Sequence, residues 1–267
     1  MDDRPEKAAG PAAADSGAGR PLLVVEGFRK FYGSVEAVAG LSFEVRAGEI
    51  VGLVGPNGAG KTTTLRAIAG IIPPAAGKIL VDGRDPATEP IEAKRALAFI
   101  PDEPKLFDYL TVREHLRFMA RLYGTSAAGA ANLIEELELG GKEGALPGAL
   151  SRGMKQKLAL ACGLIHDPRV ILLDEPLTGL DPVAIRRTKT ILKDRAKRGA
   201  AILLSSHLLS LVEELAHRVL VLQAGRRVVF GTLEELRERL PDLRREASLE
   251  EIFLAVTGAD EKDRARG

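Results

Sequence analysis

The sequence predicts an α/β fold: a doubly wound, mostly parallel sheet with a small antiparallel β-subdomain and an inserted α-helical subdomain. Short apolar runs that are typical of buried strands alternate with helical patterns toward both ends of the chain. Between these regions, residues 104–166 have a mostly helical pattern. Helices inserted into a single sheet best explain this order of elements.

The individual elements follow from hydrophobic periodicity and from the residues that begin helices and turns. The strand predictions are Leu22–Val25, Leu41–Val45, Glu49–Val54, Lys78–Val81, Leu97–Ile100, Val170–Leu173 and Ala201–Leu204, followed by a hairpin of Val219–Leu222 and Arg226–Phe230. The helix predictions are Lys61–Gly70, Asn132–Leu139, Arg152–Ile165 and segments that begin at Thr111, Pro182, Thr232 and Ser248. Three of these helices begin with a capping box, in which glutamate follows a serine or threonine by three residues.

The two ends of the chain differ in composition from the middle. Residues 1–20 consist largely of Ala, Gly, Pro and charged residues, which bury too little apolar surface to offset the entropy of ordering. We therefore predict a disordered tail over 1–20, one folded domain over 21–258 and a charged tail over 259–267.

Composition excludes several classes of protein. The net charge is +1, tryptophan is absent and aromatic residues make up 4% of the chain, which argues against a nucleic-acid partner. The single cysteine, Cys162, rules out an intrachain disulfide and fits a reducing compartment. No apolar run approaches the roughly 18–20 residues that span a bilayer, and no signal peptide is evident. We therefore expect a cytoplasmic protein without direct membrane insertion, which reaches a membrane only through a partner.

A glycine-rich loop supplies the most specific motif. The loop matches the G-x-x-x-x-G-K-[ST] pattern and consists of Gly55, Pro56, Asn57, Gly58, Ala59, Gly60, Lys61, Thr62 and the following Thr63. It follows an apolar strand and opens a helix, so its backbone N–H groups and the helix dipole favour bound phosphate. We expect Lys61 to contact the β- and γ-phosphates and Thr62 to ligate magnesium. A chance glycine-rich turn is the alternative, and the flanking strand and helix argue against it.

Two carboxylates end the apolar strand at Val170–Leu173. Ligands of parallel sheets bind beyond the carboxyl ends of the strands, so Asp174 is placed to face magnesium. Glu175 is placed to orient and deprotonate an attacking water. An acidic pair at the start of a helix is the alternative, and this motif alone does not decide between the two.

A second anion-binding helix start occurs at Leu150-Ser-Arg-Gly-Met154. Ser151 and Gly153 provide a capping hydroxyl and an unobstructed backbone at the start of a helix. The chain already has one phosphate loop. A second phosphate-binding helix start makes sense if it serves the nucleotide of another subunit. A plain helix cap is the alternative, and in isolation this motif would favour it.

With these motifs the chain, from about residue 22 to 258, resembles the nucleotide-binding subunit of ABC transporters. The family signature is LSGGQ and this chain has LSRGM, similar to the variant of bacterial exporters that have separate permeases. Arg152 and Met154 are the departures, whereas Ser151 and Gly153 are kept. The resemblance implies a P-loop NTPase fold over 21–258, with the helical subdomain at about 104–166.

The resemblance also implies roles for residues outside these motifs. Tyr32 is similar to the aromatic residue that stacks on adenine, although a core aromatic of the β-subdomain is the alternative. Thr178–Asp181 resembles the D-loop, which contacts the opposite subunit, and His207 resembles the histidine that contacts the γ-phosphate. Asp102 occupies the usual position of a glutamine that senses the metal and the attacking water and links to the permease.

The function implied is an ATPase that powers transport. We expect ATP and Mg²⁺ as cofactors and a head-to-tail dimer, either a homodimer or a heterodimer with a second nucleotide-binding subunit. Each ATP would lie between residues 55–63 of one chain and residues 151–153 of the other. A separate membrane permease, at the inner face of the cell membrane, would be driven by dimer opening and closing, and export is favoured.

Two alternatives remain at this point. A soluble ABC ATPase that acts on a macromolecular partner would normally carry two cassettes or long coiled coils, and a P-loop kinase or GTPase would not need Ser151 or the D-loop. Phe107 and Tyr109 present a further choice, since they either form a groove for a permease helix or pack the helical subdomain.

Overall fold

The computed structural model describes residues 20–240, 244 and 246–258, so the tails predicted for 1–20 and 259–267 lie outside the described residues except for Arg20. The strands are β1 (Pro21–Tyr32), β2 (Val35–Arg46), β3 (Ile50–Val54), β4 (Ala76–Val81), β5 (Leu97–Ile100), β6 (Val170–Asp174), β7 (Ala201–Ser205), β8 (Arg218–Gln223) and β9 (Arg226–Gly231). The helices are α1 (Lys61–Ile68), α2 (Pro90–Arg95), α3 (Val112–Tyr123), α4 (Ala127–Glu136), α5 (Arg152–Leu164), α6 (Pro182–Lys197), α7 (Leu209–Leu215), α8 (Leu233–Glu238) and α9 (Leu249–Thr257).

The central sheet has six strands in the order β5-β6-β7-β3-β8-β9. Neighbouring strands are parallel except at the edge, where β9 runs antiparallel to β8. Alternate residues of β6 face opposite layers: Ile171 and Leu173 pack on the side of α3–α5, whereas Val170 and Leu172 pack on the side of α1. Both faces of the sheet are therefore buried, as the continuous apolar runs predict.

A second, smaller sheet covers one side of the molecule. It consists of β1, β2 and β4 in the order β2-β1-β4, and both pairs are antiparallel. β1 and β2 each have 12 residues, much longer than the predicted Leu22–Val25 and Leu41–Val45. Register shifts along the β1–β2 pair interrupt the alternation of apolar and polar residues, which explains why the pattern revealed only part of each strand.

The segment between β5 and β6 contains α3, α4 and α5, which pack around one apolar cluster with the adjacent face of the sheet. The prediction for the middle helix, Asn132–Leu139, was displaced: α4 begins at Ala127 and ends at Glu136. Glu138 adopts a left-handed conformation with φ 54°, so the helical pattern of the sequence continues beyond the helix itself. The short helices α2 and α7 were not predicted.

The helix starts and the closing hairpin agree with the sequence. All three capping boxes form, with Thr111, Thr232 and Ser248 each paired to a glutamate. The β8–β9 hairpin turns at Ala224 and Gly225, both of which have positive φ. Local hydrogen bonding is sufficient to define these features, which is why they could be predicted without knowledge of the rest of the fold.

Candidate nucleotide site

The glycine-rich loop leaves β3 and enters α1 through Gly60, which has a left-handed φ of 99°. A Cβ on Gly60 would lie 2.7 Å from the carbonyl oxygen of Ala37, and one on Gly55 would lie 2.3 Å from that of Leu222. The loop is thus confined between β2 and the β8–β9 hairpin. The Gly225 N–H also donates to the Ala59 carbonyl, at 3.2 Å. These contacts fix a helix start whose N–H groups and dipole favour a phosphate.

Lys61 folds back over this loop. Its Nζ donates to the carbonyl oxygens of Gly55, at 2.6 Å, and Pro56, at 3.2 Å. Burial lowers the pKa of Lys61, and the negative charges of Glu175 and Asp174 oppose that change. The three charged groups are therefore close enough to interact, as expected for one site built from the ends of β3 and β6.

Asp174 is the last residue of β6 and is 5% exposed. Its Oδ1 accepts a hydrogen bond of 2.5 Å from the Ser205 hydroxyl at the end of the neighbouring β7. Its second carboxylate oxygen accepts no hydrogen bond from the part of the chain that the structure describes. A buried carboxylate with one oxygen anchored and one left over suits a group that holds a cation.

Glu175 follows Asp174 and is oriented by the segment after β7. His207 Nδ1 lies 2.7 Å from Glu175 Oε2 and donates to it, because an ionised carboxylate can only accept. The Ser206 hydroxyl lies 3.4 Å from the same oxygen. The Glu175 N–H donates to the Ser205 carbonyl at 3.1 Å, which holds the backbone as well.

The backbone of Glu175 is unusual. Its φ is 50°, in the left-handed region that residues other than glycine, asparagine and aspartate rarely adopt. The hydrogen bonds to Ser205 and His207 hold it there. Such strain is maintained where a side chain must be aimed in a particular direction, so it marks Glu175 as a candidate catalytic group.

The second helix start is built as the sequence predicts. Ser151 is the N-cap of α5, and its hydroxyl accepts from the Met154 N–H at 3.2 Å. A Cβ on Gly153 would lie 2.8 Å from the carbonyl oxygen of Gly179, so the start of α5 rests directly on the segment after Glu175. Asp181 then caps α6, and hydrogen bonds from the backbone, mainly that of Ala184, lower the pKa of its carboxyl.

Asp102 lies two residues beyond β5 and is partly exposed. Its Oδ1 is 3.4 Å from a guanidinium nitrogen of Arg152, the first residue of α5. This contact could not be predicted from local patterns, because the two residues are 50 positions apart. Asp102 thus contacts the guanidinium of the residue that follows Ser151, and no ion pair or hydrogen bond within the described residues links it to Lys61 or Asp174.

Tyr32 ends β1 and is 50% exposed. The Lys30 ammonium lies 5.6 Å from the centre of its ring. The residue is half exposed and is not part of the apolar core cluster of the small sheet. This exposure favours the stacking role over the core role.

A cleft of about 330 Å³ opens beside the Asp102 loop, between that loop, α3 and α5. Phe107 lines it and packs edge-on against Phe118, with ring centres 5.3 Å apart, yet remains half exposed. Tyr109 is 92% exposed. Phe107 therefore packs the helical segment and also leaves a face exposed, whereas Tyr109 contributes little to packing.

The structure thus brings Lys61, Asp174, Glu175 and His207 into one group. No hydrogen bond among the described residues joins Tyr32 or Ser151 to the glycine-rich loop. Sequence reasoning missed the role of Ser205, at the end of β7, and Ser206, directly after it, whose hydroxyls hold the two carboxylates. Their signal was their position at the end of a buried strand directly before His207.

The residues present fit a nucleotide with magnesium. Within the described residues, no group of three or more His, Cys, Asp or Glu side chains is arranged to hold a metal ion. Magnesium in nucleotide sites commonly needs only one or two carboxylates because phosphates and waters complete its shell. The free oxygen of Asp174 and the hydroxyl of Thr62 at the start of α1 meet that need.

Comparison with protein families finds one matching model, described as ABC transporter, over residues 38–178. The ABC-type transporter ATP-binding protein EcsA of Bacillus subtilis (strain 168) is 34% identical over 243 residues, covering 90% of this chain and 98% of that protein. The Nod factor export ATP-binding protein I of Burkholderia orbicola (strain AU 1054) is 41% identical over 213 residues, covering 78% of this chain and 70% of that protein.

Among solved structures, one described as the ATP binding subunit of an ABC transporter superposes with a TM-score of 0.84 at 36% identity. The match covers 88% of this chain and 99% of that chain. It confirms the predicted fold class, in which a doubly wound sheet is combined with a small antiparallel sheet and helices. In the part of the chain that the structure describes, no helix is long and apolar enough to cross a membrane.

Proposed function

The chain belongs to the ABC transporter family as an ATP-binding, ATP-hydrolysing subunit, and we propose that it acts as a head-to-tail dimer that powers export through a separate permease. The residue roles follow from the geometry of the two helix starts and the two carboxylates. The observation that carries the dimer is that the chain presents two anion-binding helix starts, at α1 and α5, without a hydrogen bond between them among the described residues.

The catalytic roles belong to the ends of β3, β6 and β7. Lys61 exchanges the carbonyls of Gly55 and Pro56 for the β- and γ-phosphate oxygens of ATP. Glu175 takes the proton of the attacking water, and His207 holds the carboxylate in position and contacts the γ-phosphate. The left-handed backbone of Glu175 aims its carboxylate at this task.

The remaining contacts to the cofactor come from the rest of the loop and from Tyr32. Thr62 and Asp174 would hold Mg²⁺, whereas Asp102 pairs with Arg152 and is not assigned to the ion. When bound, the ion neutralises charge on the β- and γ-phosphates. The residues from Gly55 to Thr63 surround the phosphates with N–H groups, and the exposed face of Tyr32 stacks on adenine.

In the dimer, Ser151 and Gly153 of one chain complete the site of the other. Ser151 is exposed, and a cap hydroxyl with N–H groups at a helix start forms an anion site. Each nucleotide then lies between residues 55–63 of one subunit and residues 151–153 of its partner. Hydrolysis removes the γ-phosphate that both subunits contact, so the dimer opens and the motion drives the permease.

A mixing experiment tests this arrangement. Ser151→Ala chains are combined with Lys61→Ala chains, and ATP hydrolysis is measured before and after mixing. A mixed dimer has one site with both changes and one with neither, so activity should return to about a quarter of normal, because half of randomly paired dimers are mixed. If mixed dimers form and no activity returns, the arrangement in trans is wrong or the two sites act only together. Each variant taken alone through the same mixing procedure is the control, and neither should gain activity.

The permease contact is assigned to the cleft beside the Asp102 loop. Phe107 and Tyr109 provide exposed aromatic surface next to that loop, and aromatic residues are enriched in the centres of interfaces. A short amphipathic helix of the permease fits a groove of this kind. The subunit then lies at the inner face of the cell membrane. Export is supported by the LSRGM signature and by the name of the Nod factor export relative.

A further inference from the structure

We propose that Arg152 is a positioning residue that acts through Asp102 to orient Ser151 toward the nucleotide of the partner subunit. The inference rests on the proposed head-to-tail function and adds to it a residue pair within one chain. The pair ties the loop that enters the helical subdomain to the helix that carries the signature.

The first observation is the position of the ion pair. Asp102 Oδ1 and an Arg152 guanidinium nitrogen are 3.4 Å apart, across a sequence separation of 50 residues. Asp102 lies just past the end of β5, before the helical segment begins, and Arg152 begins α5. The pair therefore holds the entrance of the helical subdomain against the start of its last helix.

The second observation is that Arg152 is fixed along its stem as well as at its charged end. A Cβ on Gly179 would lie 3.1 Å from Arg152 Cδ and 3.3 Å from its Cγ. The methylene groups of Arg152 thus lie against Gly179, in the segment after Glu175. A long side chain that is held at two points limits how the first turn of α5 can rotate.

The third observation is that both members of the pair depart from the family pattern. The resemblance places glycine at position 152 and glutamine at position 102, and this chain has opposite charges at these positions. A glycine and a glutamine cannot form an ion pair, whereas arginine and aspartate neutralise each other. The two departures are therefore accounted for together by one contact, and Asp102 carries no uncompensated charge near the nucleotide.

The consequence for the reaction passes through Ser151. Ser151 precedes Arg152 in the chain and caps the first turn of α5. A rotation of this turn therefore displaces the Ser151 hydroxyl. Loss of the pair should therefore weaken the ATP-bound dimer and leave the binding of ATP to a single subunit unchanged. A partly exposed ion pair contributes modestly, so we expect effects of about 2- to 5-fold.

The experiment is a double-mutant cycle in the Glu175→Gln chain, which keeps ATP bound. Arg152→Ala, Asp102→Ala and the double variant are titrated with Mg-ATP, and the dimer fraction is measured by analytical ultracentrifugation. Each single change should raise the ATP concentration for half-dimerisation about 2- to 5-fold, and the double variant should be no worse than either single one. Exchange of the two residues, Asp102→Arg with Arg152→Asp, should restore part of the loss. The affinity of the monomer for a fluorescent ATP analogue should stay within 2-fold.

Two controls separate this role from a structural one. Arg84→Ala breaks another exposed ion pair, Arg84–Glu89 at 2.7 Å, and should leave dimerisation unchanged. Arg152→Gln keeps the stem against Gly179 but removes the charge, and it replaces Arg152→Ala if that variant does not fold. Its ATP-bound dimer should also be weakened. Arg152→Lys should retain most of it.

Three results would overturn the inference. If the fold-changes of the two single variants multiply in the double variant, the two residues act independently. A raised magnesium requirement in Asp102→Ala, without an effect of Arg152→Ala, would make Asp102 a metal contact instead. If the Glu175→Gln chain itself does not dimerise with ATP, the proposed head-to-tail function fails and the inference fails with it.

Discussion

The strand-end group of Lys61, Asp174, Glu175 and His207 differs from the exposed loops that carry Asp102 and Ser151. In the strand-end group the carboxylates are mostly buried, at 5% exposure for Asp174 and 17% for the Glu175 side chain, and serines and His207 hold them. By contrast, the Asp102 side chain is 44% exposed and that of Arg152, at the start of α5, is 61% exposed. These two side chains contact each other.

We propose that this difference separates the groups that carry out the chemistry from those that assemble the dimer. Groups that move a proton must be oriented within a fraction of an ångström, and parallel strands of a buried sheet provide that rigidity. Groups that must meet a second subunit need an accessible surface, and helix starts on an inserted subdomain provide it. Substitutions in the first region should therefore abolish turnover, whereas substitutions in the second should alter assembly and coupling.

The largest effect is expected in the strand-end group. Glu175→Gln removes the general base that we propose and keeps the size of the side chain, so turnover should fall at least about 100-fold. ATP binding should remain, because Lys61 and the glycine-rich loop are unchanged. Steady-state hydrolysis and equilibrium dialysis with ATP measure the two quantities, and Glu92→Gln, an exposed glutamate of α2, is the control. Near-normal turnover in Glu175→Gln would remove Glu175 from the base role.

An intermediate effect is expected at Tyr32, which is exposed like the loops and for which we propose a contact to the nucleotide of its own subunit. Tyr32→Ala should lower the affinity for ATP by about 5- to 100-fold, the range for loss of a base–aromatic stacking contact. Tyr32→Phe keeps the ring and should bind ATP normally. Titration with a fluorescent ATP analogue measures both. An unchanged affinity in Tyr32→Ala would assign the ring to the β-subdomain alone.

The smallest effect on hydrolysis is expected at the surface that we propose for the permease. Tyr109→Asp changes a side chain that is 92% exposed, so the ATPase activity of the isolated subunit should change by less than about 2-fold. Co-expressed with its permease, the variant should lose its place in the membrane fraction, because an unpaired charge is introduced into an apolar contact.

Ile91→Asp, which changes another exposed apolar residue, should remain with the membrane and serves as the control for Tyr109→Asp. A chain that sediments with membranes in the absence of any partner would contradict the requirement for a permease. Phe107→Asp is less clean, because Phe107 also packs on Phe118, and misfolding of that variant would favour its packing role.

Much of the strand-end group could be predicted because its residues belong to short motifs. The loop from Gly55 to Thr63 and the pair Asp174–Glu175 are contiguous in sequence, and the strand and helix around them restrict what they can do. The capping boxes at Thr111, Thr232 and Ser248 formed for the same reason, since each depends on four consecutive residues. Features that depend on distant contacts were missed or displaced, among them the lengths of β1 and β2 and the bounds of α4.

The sequence by itself thus determined the fold class, the position of the glycine-rich loop between a strand and a helix, the carboxylate pair at a strand end and the helix starts, because local hydrogen bonding and hydrophobic periodicity encode them. Only the tertiary structure decided that Ser205 anchors Asp174, that His207 orients Glu175 and that Arg152 pairs with Asp102. Each of these contacts joins residues that are 31 to 50 positions apart. Their proximity depends on the order of the strands in the sheet and on how the inserted helices return to it, and no local pattern records that order.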